Sequence, residues 1–240
     1  MMAISLFTSR VILSTLGVSD YGIYNVVGGV VAMFGILSGS ITNSITRFLT
    51  FELGKKDNEQ LQKVFSTSLN VMFVLSFIIL VIGEIVGIWF LNYKMNIPEG
   101  RMDAANWAFQ CSLATFIIGL ISIPYNSTIV AHEKMSVFAY ISIFEVLMKL
   151  LIVYSLYVSP FDKLKSYAVL LMILMVMLRF IYGIYCNRNF QEAKYHFVHD
   201  KQLLKQMTSF AGWNFFGQGA YMLNNQGVNI VINLFFGVTV

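Results

Sequence analysis

The chain is short of charge. Asp, Glu, Lys and Arg make up only 12% of its 240 residues, about half the share of an ordinary soluble protein. Hydrophobic residues reach 57%, with 21 Phe, 13 Met and 12 Tyr against 3 Pro, and mean hydropathy is +0.70. A soluble fold cannot hide that much apolar surface. Acids are scarcer than bases, so the net charge of +4 reflects missing carboxylates rather than a basic patch. The bases are scattered, which argues against nucleic acid as a partner. Two cysteines, Cys111 and Cys186, exclude a disulfide framework and a Cys-based zinc site. GxxxxGK[ST], GxSxG and HExxH are all missing, so no nucleotide hydrolysis, serine hydrolase or zinc protease chemistry is encoded. No catalytic residue and no cofactor is nominated. His196 and His199 lack the further ligands that a metal needs. Asn126-Ser127-Thr128 matches a glycosylation sequon but falls inside an apolar run, where no acceptor would sit.

What is present is long uncharged stretches. A helix needs about 20 mostly apolar residues to cross the bilayer. Gaps between charges predict spans at 21–46, 64–90, 104–131, 135–161, 166–187 and 206–240, with a shorter run at 1–17 that carries Arg10. The expected fold is therefore all-α, a polytopic helical bundle in the lipid bilayer. The first run reads as a clipped helix and the last as a helix that continues further. The predicted organisation is a transmembrane lobe over 1–186, a cytoplasmic linker over 187–205, and the opening helix of a second lobe over 206–240. The linker reads as an amphipathic helix lying on the surface. The segment 48–63 reads as another polar, amphipathic connection that turns at Gly54.

Alternate loops differ in basic residues. One side holds Arg47, Lys55, Lys56, Lys63, Lys134, Arg188, Lys194, Lys201 and Lys205; the other holds Lys94, Arg101, Lys163 and Lys165. Bases favour the cytoplasm, so the first set and the N-terminus are expected inside. Trp89, Tyr93 and Trp107 then form an aromatic belt at the outer boundary. Gly35/Gly39 and Gly83/Gly87 are small-residue pairs that permit close helix approach.

Polar groups within the spans carry the functional reading. A charge at mid-bilayer costs roughly 2.5–3.5 kcal/mol on insertion scales, so it usually faces a cavity or a partner. Lys149 is the deepest, with Glu145 one turn before it in the favourable i,i+4 order. This is either a self-neutralised pair or a cation lining a lumen. Arg10 has no local acid. Arg179 is close enough to the inner surface to snorkel. In the last helix Asn214, Gln218, Tyr221, Asn225, Asn229 and Asn233 recur at helical spacing, which makes one face polar along its length. Either interhelical hydrogen bonds or a water-filled pathway would account for that face.

Three segments resemble a known family. They are Leu16-Gly17-Val18-Ser19-Asp20-Tyr21-Gly22-Ile23-Tyr24, then Arg47-Phe48-Leu49-Thr50-Phe51-Glu52-Leu53-Gly54-Lys55-Lys56-Asp57, and Phe210-Ala211-Gly212-Trp213-Asn214 after the linker. Together they look like a Wzx-type flippase of the multidrug/oligosaccharidyl-lipid/polysaccharide exporter superfamily. The resemblance implies two six-helix lobes around a central cavity, of which this chain would supply the first. It also implies an undecaprenyl-pyrophosphate-linked oligosaccharide as substrate, alternating access in the bacterial inner membrane, and polysaccharide polymerase machinery as a partner. Lys149 and Arg10 would then serve the phosphates, with Glu145 tuning the charge of Lys149 and Arg179 a further cavity candidate, and Asn214, Gln218, Asn225 and Asn229 on the amide face of the last helix would serve the sugar. A cation-coupled drug or metabolite exporter of the same superfamily is the alternative. A glycan polymerase would need a sizeable outer loop with catalytic Arg or His, and the predicted outer loops are short and His-free. A structural assembly subunit would need no polar lumen.

Overall fold

The computed structural model describes the backbone of residues 2–93, 95, 97–98, 100–158, 160–196 and 200–236, and side chains within that set from 9 to 220 apart from 36 and 158. Among the described residues the fold is all-α: α1 Met2–Ala32, α2 Gly35–Lys55, α3 Asn58–Ile82, α4 Ile88–Tyr93, α5 Met102–Ala131, α6 Met135–Val158, α7 Lys163–Asn189 and α8 Lys201–Phe236. A π-helical turn, Gly83–Gly87, links α3 to α4, and a 3₁₀ turn, Gln191–Ala193, follows α7.

Among the described residues four helical stretches are long and apolar enough to cross a membrane: Asn58–Tyr93, Met102–Ala131, Met135–Tyr157 and Lys163–Asn189. A fifth is bent by 49° between Ser9–Ala32 and Leu37–Lys55. The predicted span 21–46 is thus not straight. Two residues, Met33 and Phe34, leave the α-helical ladder there, and i to i−3 bonds such as Phe34 N–H to Val31 O at 3.1 Å take its place. Gly28, Gly29, Gly35 and Gly39 flank the break, and glycine weakens a helix interior. The predicted boundary after the first run is a single-residue kink. Gly17 has φ +82°, a left-handed backbone that a side chain rarely tolerates.

Both expected polar connections differ from their reading. Helix α2 runs straight through Gly54, and the turn falls at Lys56 (φ 59°), whose N–H bonds Leu53 O at 3.1 Å. Asp57 then caps α3 by accepting from the Gln60 N–H at 3.0 Å. The linker is not one amphipathic helix: α7 extends to Asn189, a 3₁₀ turn follows, and α8 begins at Lys201. Phe190 accounts for the change, since it turns inward and stacks on His132 at 4.1 Å between ring centroids.

The packing is that of a bundle in lipid. Large apolar side chains such as Phe73, Phe77, Ile85, Leu147, Leu151, Phe180 and Ile184 are exposed. Small polar residues are buried alongside an apolar core, including Ser66, Thr67, Ser68, Ser122, Ser127 and Thr128. Small side chains let helix backbones approach, and their hydroxyls bond locally or across helices. Thr46 donates to Ser127 Oγ at 3.0 Å between α2 and α5, and Ser44 to Met207 O at 3.0 Å between α2 and α8. The π-turn supplies the closest approach. A Cβ on Gly83 would lie 2.9 Å from Leu113 Cδ1, and one on Gly87 would overlap the Phe109 ring. These exposed apolar helices mark a membrane-embedded protein.

Candidate functional site

A hollow of about 750 Å³ opens between α1, α2, α5, α7 and α8. Its apolar wall includes Val31, Phe116, Leu120, Leu171 and Met175. Its polar wall is built from Ser38, Thr42 and Asn43 of α2, Ser112 and Thr115 of α5, and Gln218 of α8. Thr42 gives its hydroxyl proton to Ser38 O at 2.7 Å, Thr115 to Cys111 O at 2.7 Å, and Ser38 to Gly35 O at 2.7 Å. Each proton is spent within its own helix, so the oxygen lone pairs remain available as acceptors.

Gln218 of α8 adds a side-chain amide to this wall. Its Nε2 is shut away from the surface and meets no hydrogen-bond partner among the described residues. Leaving a buried amide donor unmade costs about 1–3 kcal/mol. As the side chain stands this nitrogen is out of reach of a guest, and Gln218 meets the hollow through the rest of its side chain. The Gln218 side-chain oxygen comes 3.4 Å from where a Cβ on Gly39 would be, an ordinary contact.

A second hollow of about 350 Å³ lies between α1, α5, α6 and α7. It shares Tyr24, Thr115, Leu171 and Met175 with the first, so the two adjoin. Tyr24 and Tyr167 meet edge to face at 5.0 Å where they join. Glu145 and Lys149 line the second hollow, and the ammonium donates to Glu145 Oε1 at 2.6 Å. The deepest cation is therefore neutralised by the carboxylate one turn away while both remain part of the wall.

The predicted residues divide between these places. Gln218 lines the first hollow and Glu145 with Lys149 the second, while Arg10 is exposed and lines neither. Arg179 lays its guanidinium 3.9 Å over the Tyr125 ring, on the α5–α7 seam away from both hollows. Asn214 is half-buried on α8 and lines neither hollow. The side chains of Asn225 and Asn229 lie outside the described residues, although the α8 backbone passes through both.

The hydroxyl wall of α2 and α5 escaped the sequence reading. Ser and Thr satisfy themselves inside helices and leave no signature. Also unforeseen is an ion cluster that closes one end of the bundle. Arg101, just before α5, donates from Nε to Asp20 Oδ1 at 2.9 Å and from its terminal nitrogens to Asp20 and Asp162. Lys165 pairs with Asp103 beside it. Burial alone would raise the Asp162 carboxyl, but the Lys165 amide and the Arg101 guanidinium together hold it below its ordinary value. At the opposite end Glu192 bonds His132, and His196 Nδ1 lies 2.8 Å from Gln62 Nε2. Among the described residues no group of His, Cys, Asp and Glu could hold a metal. Compared with family models, curated proteins and solved structures, the chain finds no match.

Proposed function

We propose that the chain is one lobe of a flippase that carries lipid-linked oligosaccharide units across the bacterial inner membrane by alternating access. The observation that carries this reading is a hollow with one hydroxyl- and amide-bearing wall and one apolar wall, inside a bundle whose outer surface is apolar. A hydroxylated sugar head cannot cross hydrocarbon with its hydrogen bonds unmade. The lone pairs of Ser38, Thr42 and Thr115 would accept from sugar hydroxyls, and Gln218 would donate to them once its amide turned toward the hollow. Lys149 would meet the pyrophosphate once drawn away from Glu145. The basic excess at the Lys55 end of the bundle puts that end in the cytoplasm under this reading.

The test uses the full-length protein in cells that build a surface polysaccharide. Gly28 lines the first hollow, and a Cβ built on it would meet nothing within 4 Å. Gly28→Phe and Lys149→Gln are expected to bring surface polysaccharide close to background at normal membrane levels of the protein. Lipid-linked units should accumulate inside. Undiminished surface polysaccharide in both variants would reject the flippase reading. A cation-coupled exporter is favoured instead by one observation, the Glu145 carboxylate in the second hollow. That reading requires Glu145→Gln to stop cation-driven efflux from vesicles.

A further inference from the structure

The first hollow is uncharged throughout. Among the described residues no Asp, Glu, Lys, Arg or His lines it. The stretches that build it, 21–46, 104–131, 166–178 and 206–240, hold none in sequence either, so the part of α8 that continues past Gln218 brings no charge. The adjoining hollow holds Glu145 and Lys149, which neutralise each other at 2.6 Å. Ser38, Thr42 and Thr115 have each given their proton to a carbonyl of their own helix, so they meet a guest as acceptors. Asn43 and Ser112 add neutral polar groups, and the rest of the lining is largely apolar, with Tyr24 and Phe116 as its rings.

Such a lining sorts guests by charge. A carboxylate accepts hydrogen bonds and offers none, so the three acceptors oppose it and no cation compensates it. An ammonium finds acceptors but no carboxylate to balance it. Burying either charge unpaired costs far more than burying a hydrogen-bonded hydroxyl. An uncharged sugar ring suits both walls. Its hydroxyls donate to Ser38, Thr42 and Thr115, and its C–H face lies on the apolar side. The volume of about 750 Å³ falls within the ~300–1,000 Å³ of small-molecule sites. We propose that the first hollow selects uncharged sugar rings and rejects rings that carry a carboxylate or a free amine. The inference rests on the flippase reading and narrows its cargo to neutral glycans. The pyrophosphate, which that reading assigns to Lys149, stays outside this hollow.

The test is equilibrium binding to the full-length protein in nanodiscs of zwitterionic lipid. Three radiolabelled probes share a farnesyl pyrophosphate and differ only in the middle ring of a trisaccharide, which is glucose, glucuronic acid or glucosamine. The glucose probe is expected to bind tightest. The other two should be weaker by about tenfold or more, the effect of one uncompensated buried charge. A charge built into the lining should sort them anew. Ser112→Lys should bring the glucuronic acid probe level with the glucose probe and weaken the glucosamine probe further, and Ser112→Asp should do the reverse. Each readout is a ratio between probes in one preparation, so loss of folded protein cancels. Either charged probe binding the unaltered protein as tightly as the glucose probe, or a ranking that neither substitution changes, overturns the inference. Binding of none of the probes overturns the flippase reading and the inference with it.

Discussion

At the scale of single residues, what matters most is where a side chain is missing. Gly87 sits where the Phe109 ring leaves no space for a Cβ, whereas Gly22 looks onto open space. Phe109 is fully buried in the core, so its ring cannot swing aside into solvent. Gly87→Ala is expected to destabilise by about 1–3 kcal/mol, the usual cost of overpacking. Gly22→Ala should stay within about 0.5 kcal/mol, as helical Ala replaces Gly without conflict. Cys111 and Cys186 are both free and buried, so a thiol-reactive fluorophore read during heating measures both variants in detergent. Equal melting temperatures for the two would refute the close packing at the π-turn. The spacing of Gly83 and Gly87 suggested close approach. Only the neighbours Leu113 and Phe109 reveal which helix approaches.

At the scale of elements, charge decides how helix ends are held. Arg101 ties the kinked middle of α1 to the starts of α5 and α7 through Asp20 and Asp162. The three elements are far apart in sequence, so no local pattern announces the cluster. The Asp162 carboxyl is held below its ordinary 3.8. A depressed carboxylate stabilises the fold fully above its ordinary value and loses that contribution as pH falls through the folded one. Melting temperature should therefore drop as pH is lowered below the ordinary 3.8 of the carboxyl. Asp162→Asn should flatten that drop while melting lower at pH 7. An unchanged acid limb in the variant would show that the cluster does not clamp these ends.

At the scale of the whole molecule, apolar residues fill the core as in a soluble bundle but also cover the outer surface. Apolar side chains point outward and hydroxyls line an internal space. If that space is wet, single cysteines at Thr42, Ser112 and Gln218 should react with a membrane-impermeant thiol reagent in native membranes. A cysteine at Phe180, on the lipid-facing side of α7, should not. Labelling at Phe180 with none at Thr42 would mean that the bundle is turned the other way. The same scan separates a transporter lobe from an assembly subunit, which needs no wet interior.

The sequence by itself determined that the chain is helical and belongs in a membrane. Charge gaps of span length leave no other solution for backbone polar groups in lipid. It also marked Glu145, Lys149 and Gln218, because a charge or amide in an apolar run stands out by its cost. It did not determine which polar groups share a space. Arg10 and Arg179 stand out equally in sequence, yet one is exposed and the other lies on Tyr125. The tertiary structure alone brought Ser38, Thr42 and Thr115 to one wall and Arg101 to Asp20 and Asp162. Hydroxyls that bond their own helix leave no periodic trace, and charges on distant helices meet only when packing sets the rotation of each helix about its axis.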